Sequence, residues 1–536
     1  MFARRATGLV REVSLFDAFV WNSAASWFLG LAIFTVWDLS WLPGGGFVQA
    51  EFVALVFAVT IGLSYAFLTS AMPRAGGDYV FNSRILHPAI GFAANFSLSV
   101  WELITAAFVV YFVSFSGLGP GIQVLGYLTG SRSLENAGLM LSYPWNAFAI
   151  GTLLNAAFTI ISLLGLRRVA KLLDILWLLA FLGVITLLVV LLSTDQTQFA
   201  VRFDQFIHTS GGGYLSSVGS PYREVISGAV ANGFNLAPRR LVGPEIAVVS
   251  GSVIWVFWST YIAGEIKRLD NLKRNVVSMI GAALVNAFLF LLILYGMFTC
   301  FGYEFLASLS FITNLRPGAL PLGSAGSIVM LLTGLASSNL WFVVLIFVAF
   351  SIRALLFLPS LIFQPVRSMF AWSMDRILPD RLSQVNERFH IPILLHILAA
   401  VVVQMVLILL VMFPEYLFAV FSSVIIAPAF SAIFPTAVSA AIFPFRRRQI
   451  YESSPARVTV GGIPLVTATG IAAAAFMLFM VYEFLAWPGF GLNNLLVILL
   501  NFGMIPVGLI FYAVAFYVRK QEGILLTDLF RQIPPE

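Results

Sequence analysis

Two charges stand where charges are costly. Glu102 lies in an apolar run over 89–117, and Arg353 in another over 339–370. On insertion scales a charge at the centre of a membrane span costs roughly 2.5–3.5 kcal/mol, so each needs a partner or a watery cavity. Arg353 shares a helical face with Ser360, Gln364 and Arg367; Glu102 groups with Asn95, Ser99 and Thr105. Polar stripes of this kind line protein or water rather than lipid. An arginine keeps its proton in practice, since its pKa lies above ~12. Arg353 would therefore act as a fixed cation able to bond backbone carbonyls, and Glu102 is the better titrating group. The competing readings are a structural Arg353–Glu102 pair, or Arg353 reaching toward an interface.

The backbone offers a second kind of chemistry. The stretch Asp17 to Trp37 is long enough to cross a bilayer but is interrupted by Asn22-Ser23, Ser26 and Gly30-Leu31-Ala32. A helix broken at membrane depth frees N–H and C=O groups, which is tolerated only against protein or a cavity. The bland alternative is small residues allowing close helix packing. A second interrupted stretch runs from Gly251 to Arg268, with Trp255, Phe257, Trp258 and Tyr261 among hydroxyls and small residues. Freed helix N-termini favour an anion such as a carboxylate. The aromatics could enclose a side chain, or simply pack.

Composition sets the elements that must position these groups. Of 536 residues 60% are hydrophobic and 10% charged, against about 25% charged in soluble domains. The expected fold is an all-α polytopic membrane protein of about 12 spans. They are placed at 17–38, 48–70, 89–117, 145–166, 173–193, 244–263, 277–301, 339–370, 392–412, 416–443, 464–486 and 492–518. The interrupted stretches each open a block of five, which points to two inverted repeats, 17–193 and 244–443. The remaining expected segments are an N-terminus (1–16), a loop over 194–243, a loop over 444–463, two more spans over 464–518 and a C-terminus (519–536).

Basic residues such as Arg74, Arg167, Lys267, Arg376 and Arg446 to Arg448 crowd alternate loops, which predicts both termini in the cytoplasm. The same bias accounts for the net charge of +6 without nucleic acid. Arg4, Arg5 and Arg11 precede a full-length span rather than a cleavable leader. The 194–243 loop holds Gly211 to Gly213 and a helix-like run from Pro221 to Phe234, readable as a lid or as a surface cap.

One cysteine, Cys300, excludes an intramolecular disulfide and a cysteine-built metal site. The four histidines have no metal spacing, and no Walker loop, dinucleotide fingerprint, zinc-protease motif or nucleophile elbow is present. The chain is thus read as no enzyme, with no cofactor and no metal.

Four patches, in order, resemble the amino acid–polyamine–organocation (APC) transporter superfamily, in particular its amino acid permeases. Gly30-Leu31-Ala32-Ile33-Phe34 resembles the break in span one. Met72-Pro73-Arg74-Ala75-Gly76-Gly77-Asp78-Tyr79 is very similar to the loop after span two. Glu265-Ile266-Lys267-Arg268 with Asn275 resembles the region after span six, and Arg367 to Pro379, continuing to Pro392, that after span eight. The resemblance covers roughly 11–520. Ala32 replaces a family glycine, and span five is apolar from Ile175 to Ile185, where some proton-coupled relatives carry a lysine.

The resemblance implies a LeuT-like 5+5 inverted repeat plus two helices. It implies a secondary active transporter in the plasma membrane, moving amino acids or related amines by alternating access. Backbone around Gly30, Leu31 and Ala32 would bind a carboxylate; backbone around Trp255, Phe257, Trp258 and Ser259 would receive the ammonium. Ser26, in the same break as the first group, joins the expected substrate-binding set. Span eight would help form a cation site against span one, the space Arg353 would fill. Arg74, Asp78 and Glu265 would gate the cytoplasmic side, and a proton or sodium ion is the possible coupled species. The alternatives are a non-transporting membrane sensor or scaffold on the same fold, and a channel.

Overall fold

In lipid, a run of about 20 apolar residues satisfies its backbone polar groups by closing a helix. The computed structural model describes residues 9–26, 32, 35–42, 44, 46–210, 219–235, 243–268, 271–315, 325–413, 417–490, 492 and 494–530. Among them nine helices are long and apolar enough to span a membrane. In chain order these are Phe47–Ala71, Pro88–Thr129, Pro144–Ser162, Leu166–Ser193, Leu272–Asn314, Leu340–Met374, Ile393–Met412, Ser423–Arg446 and Leu465–Ala486. A tenth span is Leu495–Phe502 with Met504–Gln521, bent by 42°. Pro506 lacks the amide that would continue the first piece into the second. These ten are spans two to five and seven to twelve of the expected set. Among the described residues, no membrane-length helix covers 17–38 or 244–263, the interrupted ones.

The first interrupted stretch begins as the helix Leu15–Ala25, fixed by a capping box. The Asp17 amide donates to Ser14 Oγ (3.2 Å), and the Ser14 amide donates to the Asp17 carboxylate (2.6 Å). It ends at Ser26, whose backbone is extended (φ −88°, ψ 113°). Beyond it, the described residues 32 and 35–38 are helical. Gly30 and Leu31 lie outside the described residues; Ala32 is buried.

The second is a short helix, Gly243–Val249, then a single tight turn Ser250–Ser252, turns over 253–257, and a 3₁₀ stretch Trp258–Glu265. The sequence explains why it does not run on. Ser250 Oγ donates back to the Ile246 carbonyl (2.5 Å), and the Val253 amide bonds Ser250 rather than Val249 (3.0 Å). Hydroxyls competing for backbone groups loosen a helix at this kind of site.

Span eight is also divided, into Leu340–Leu355 and Leu358–Met374. Pro359 offers no amide to the Leu355 carbonyl, so the ladder stops there. The polar stripe expected along one continuous face is therefore split: Arg353 lies before the break, and Ser360, Gln364 and Arg367 after it. Span three is enclosed, with 83% of its apolar window buried against 22% for span four. Glu102 thus faces protein, not lipid.

The 194–243 segment carries two helices, Gln196–Ser210 and Pro221–Ala231. The second packs onto Tyr303–Leu315, where Tyr222 and Phe305 stack at 4.3 Å. Tyr222 also donates to the Phe301 carbonyl (2.6 Å). Gly211 to Gly213 lie outside the described residues.

Candidate functional site

The helix Leu15–Ala25 is held by polar side chains along its length. Lys171 of span five reaches both Asp17 (2.7 Å) and Asp174 (2.9 Å). Ser23 Oγ receives Trp177 Nε1 (3.0 Å) and donates to Asn286 of span seven (2.9 Å). Asn22 is fully buried; it donates to Ser278 (2.8 Å) and accepts the Ser259 amide (2.8 Å). That last bond joins the two interrupted stretches directly, side chain of one to backbone of the other.

Arg353 meets the open end of the same helix. Its guanidinium donates to the carbonyls of Ser23 (2.7 Å), Ala24 (3.4 Å) and Ser26. These carbonyls stand at the C-terminal end of the helix, where few intrahelical donors reach, and a cation there also meets the negative end of the helix dipole. Hydrogen bonds to a charged group contribute about 1.5–3 kcal/mol each, enough together to offset the roughly 2.5–3.5 kcal/mol insertion cost of the charge. Arg353 is 2% exposed, so that charge is fully committed to the protein interior.

Around the breaks, Trp255, Phe257, Trp258 and Ser259 are all buried, as is Ser26. Phe257 stacks on Tyr65 of span two at 4.0 Å, and Trp258 lies 5.4 Å from Tyr261. Phe257 is thus packed between helices rather than standing alone. Several polar atoms have no hydrogen-bond partner among the described residues: Ser26 Oγ, Trp258 Nε1 and Glu102 Oε2. Buried polar groups are normally paired, and each exception calls for an explanation.

The two polar stripes meet. Gln364 Nε2 donates to Ser99 Oγ (3.3 Å), and Trp372 Nε1 to Asn95 Oδ1 (3.0 Å). The face carrying Glu102 is therefore packed on the second piece of span eight.

At the end of the bundle bearing the 72–77 loop, five segments lock together. Asp78 accepts from Asn95 (2.7 Å) and from Tyr261 (3.0 Å). Glu265 takes a two-point bond from Arg367, at 2.7 and 3.0 Å, with both side chains buried. Arg84 pairs with Asp375 at 2.7 Å, and Tyr79 donates to that carboxylate (2.8 Å). The Glu12 and Val13 amides both bond the Glu265 carbonyl (3.0 Å each), and the Lys267 amide returns to Val13 (2.9 Å). Gly77 makes the loop's approach possible: its φ is +52°, and a Cβ would lie 2.7 Å from the Tyr261 ring. Arg74 is half-buried beside it and donates to the Pro73 carbonyl (3.1 Å). Below the lock opens a cavity of about 570 Å³, lined in part by Glu12, Arg167, Lys171, Glu265 and Arg388.

Of the expected residues that are described, Ser26, Trp255, Phe257, Trp258, Ser259 and Arg353 lie at the breaks and Arg74, Asp78 and Glu265 at the lock, while Glu102 lies on the face packed against span eight. Asn22, Tyr261, Arg367 and the Arg84–Asp375 pair complete these groups without having been singled out as partners. Asn22 had a legible signal, a fully polar amide in an otherwise apolar run. For Arg367 the signal was weaker, because its carboxylate partner lies 102 positions away.

No curated protein matches the chain. The sequence model of the amino acid permease family matches residues 14–510, from the capping serine of the first interrupted helix to the middle of the last span. That match takes in both interrupted stretches, nine membrane-length spans and most of the tenth, and the chain belongs to the amino acid permease family.

Proposed function

We propose that the chain is a secondary active transporter that carries an amino acid or related amine by alternating access, holding it between the break that opens at Ser26 and the one that opens at 253. The observation that carries this reading is the Asn22–Ser259 bond, which ties one broken stretch to the other. The family membership supplies the solute class. Ser26 Oγ and Trp258 Nε1 are the side-chain groups best suited to meet a polar solute there; the backbone around Gly30, Leu31 and Ala32 would take its carboxylate.

Arg353 stands in this reading as a built-in cation. It braces the end of the first broken helix through carbonyls, and transport would need no sodium at that position. Glu102 is the reading's titratable group beside the stripes. The locked end is the cytoplasmic gate, with Asp78 and Glu265 as its buried members and Arg74 at its mouth. Opening the Glu265–Arg367 pair would connect the breaks to the cavity beneath. The two blocks of five spans would be inverted repeats in a LeuT-like fold, in the plasma membrane, with both termini cytoplasmic.

The test is counterflow in proteoliposomes holding the purified protein. Preloaded unlabelled amino acid should accelerate entry of its labelled form, and sodium should not be required. If no amino acid, diamine or polyamine exchanges, the reading is wrong.

A further inference from the structure

Span two carries one carboxylate, Glu51, in an otherwise uncharged helix, Phe47–Ala71. It is fully buried. Its Oε1 lies 2.7 Å from Ser252 Oγ, and its Oε2 has no hydrogen-bond partner among the described residues. Ser252 closes the turn where the helix Gly243–Val249 gives way to the break. The same hydroxyl lies 2.7 Å from the Val249 carbonyl. In a continuing helix the Val253 amide would serve that carbonyl; in the tight turn it serves Ser250, and the Ser252 amide turns toward Val249 beside the hydroxyl.

Ser252 therefore faces two acceptors with one proton. If Glu51 is ionised, the hydroxyl can serve the carboxylate or the carbonyl, not both. If Glu51 is protonated, its own O–H donates to Ser252 Oγ, and the hydroxyl proton is free for Val249. From these contacts we infer that Glu51 is a proton-binding site that controls how firmly the helix before the span-six break is held. One proton binds and one leaves; no other bond is made or broken. Its bearing on transport rests on the function proposed above.

The other charges on elements packed against span two divide by end. Glu245 on Gly243–Val249 and Glu483 on span eleven lie toward the end that holds Glu51. Glu265, Lys273, Arg274 and Arg446 lie toward the locked end. Glu51 occupies the fifth position of its 25-residue helix, far from that second group.

The test is amide hydrogen exchange over 246–254 in the full-length protein in nanodiscs, at about pH 6 and about pH 8, corrected for intrinsic rates. Wild type should be protected several-fold more at the lower pH. Glu51→Gln, whose amide donates as the protonated acid does, should hold the protected level at both. Ser252→Ala should hold the weak level at both, and Glu51→Asp should keep the pH dependence. A wild type without pH dependence, or a Glu51→Gln that retains it, overturns the inference. In proteoliposomes the ratio of pH-gradient-driven uptake to exchange should fall about tenfold or more in Glu51→Gln; an unchanged ratio also overturns it. Should wild type exchange no solute, the transport reading fails while the hydrogen-exchange result still decides Glu51.

Discussion

Asn22 accepts the backbone amide of Ser259 at 2.8 Å, so a side chain of the first broken stretch holds the start of the 3₁₀ stretch of the second. The same Asn22 donates to Ser278 of span seven, which fixes the direction of its amide. Asn22→Ala should leave the Ser259 amide buried without that acceptor, at a cost of about 1–3 kcal/mol. Its melting temperature should fall, and exchange should fall further than Asn22→Asp, which keeps an acceptor. Equal exchange in Asn22→Ala and wild type would separate this bond from function.

Arg353 serves three carbonyls from one planar fork. A lysine is a single point donor and cannot span them. Arg353→Lys should fold with reduced stability and exchange poorly, and Arg353→Ala should lose both. Wild-type exchange should be the same in sodium and in choline buffer. Sodium-dependent wild-type exchange would contradict the built-in cation.

The Glu265–Arg367 pair is buried on both sides, at 4% and 0% exposure. Removing one member of such a pair typically costs 3–5 kcal/mol, while replacing both by apolar groups is often near neutral. Glu265→Gln and Arg367→Met should each lower stability by roughly that amount, and the double variant by less than either. Thermal melts of the four proteins in one detergent check this. Additive losses would show that the two side chains do not act as a pair.

Gly77 and Gly461 both have positive φ, +52° and +59°, yet only Gly77 has a neighbour where a Cβ would go. An alanine in the left-handed region costs about 1–2 kcal/mol by itself. Gly461→Ala, in the tight hairpin of Thr459–Val460 and Ile463–Pro464, should show only that. Gly77→Ala must also displace Tyr261 and should destabilise more, with the loop becoming susceptible to protease. Equal losses at the two glycines would mean that the loop yields without strain.

Much of this architecture was legible because it follows from apolar length. Phe47–Ala71 and Ile393–Met412 sit within a residue of where hydropathy puts them. The interruptions at Ser26 and at 253–257 were legible too, as hydroxyls and small residues in runs otherwise able to span. Tertiary pairing was harder to read. Nothing local to Arg353 says that Ser23, more than 300 positions earlier, supplies its acceptor. Pro359 was visible, but a proline in a long apolar run can bend a helix or divide it, and packing decides which. Glu51 is not legible in sequence, because one carboxylate near a span's end reads as an interfacial charge; its burial comes from the turn of span six lying against it.

The central claim is that a solute lies between the two breaks, and Ser26 is the side chain nearest to reporting it. The sole native thiol, Cys300, is buried and can be replaced by alanine. In that background, the alkylation rate of Ser26→Cys should be measured with and without each amino acid that supports counterflow. An exchanged amino acid should slow alkylation, in a saturable way, and non-exchanged ones should not. An exchanged amino acid that leaves the rate at Ser26→Cys unchanged at saturation would contradict that claim.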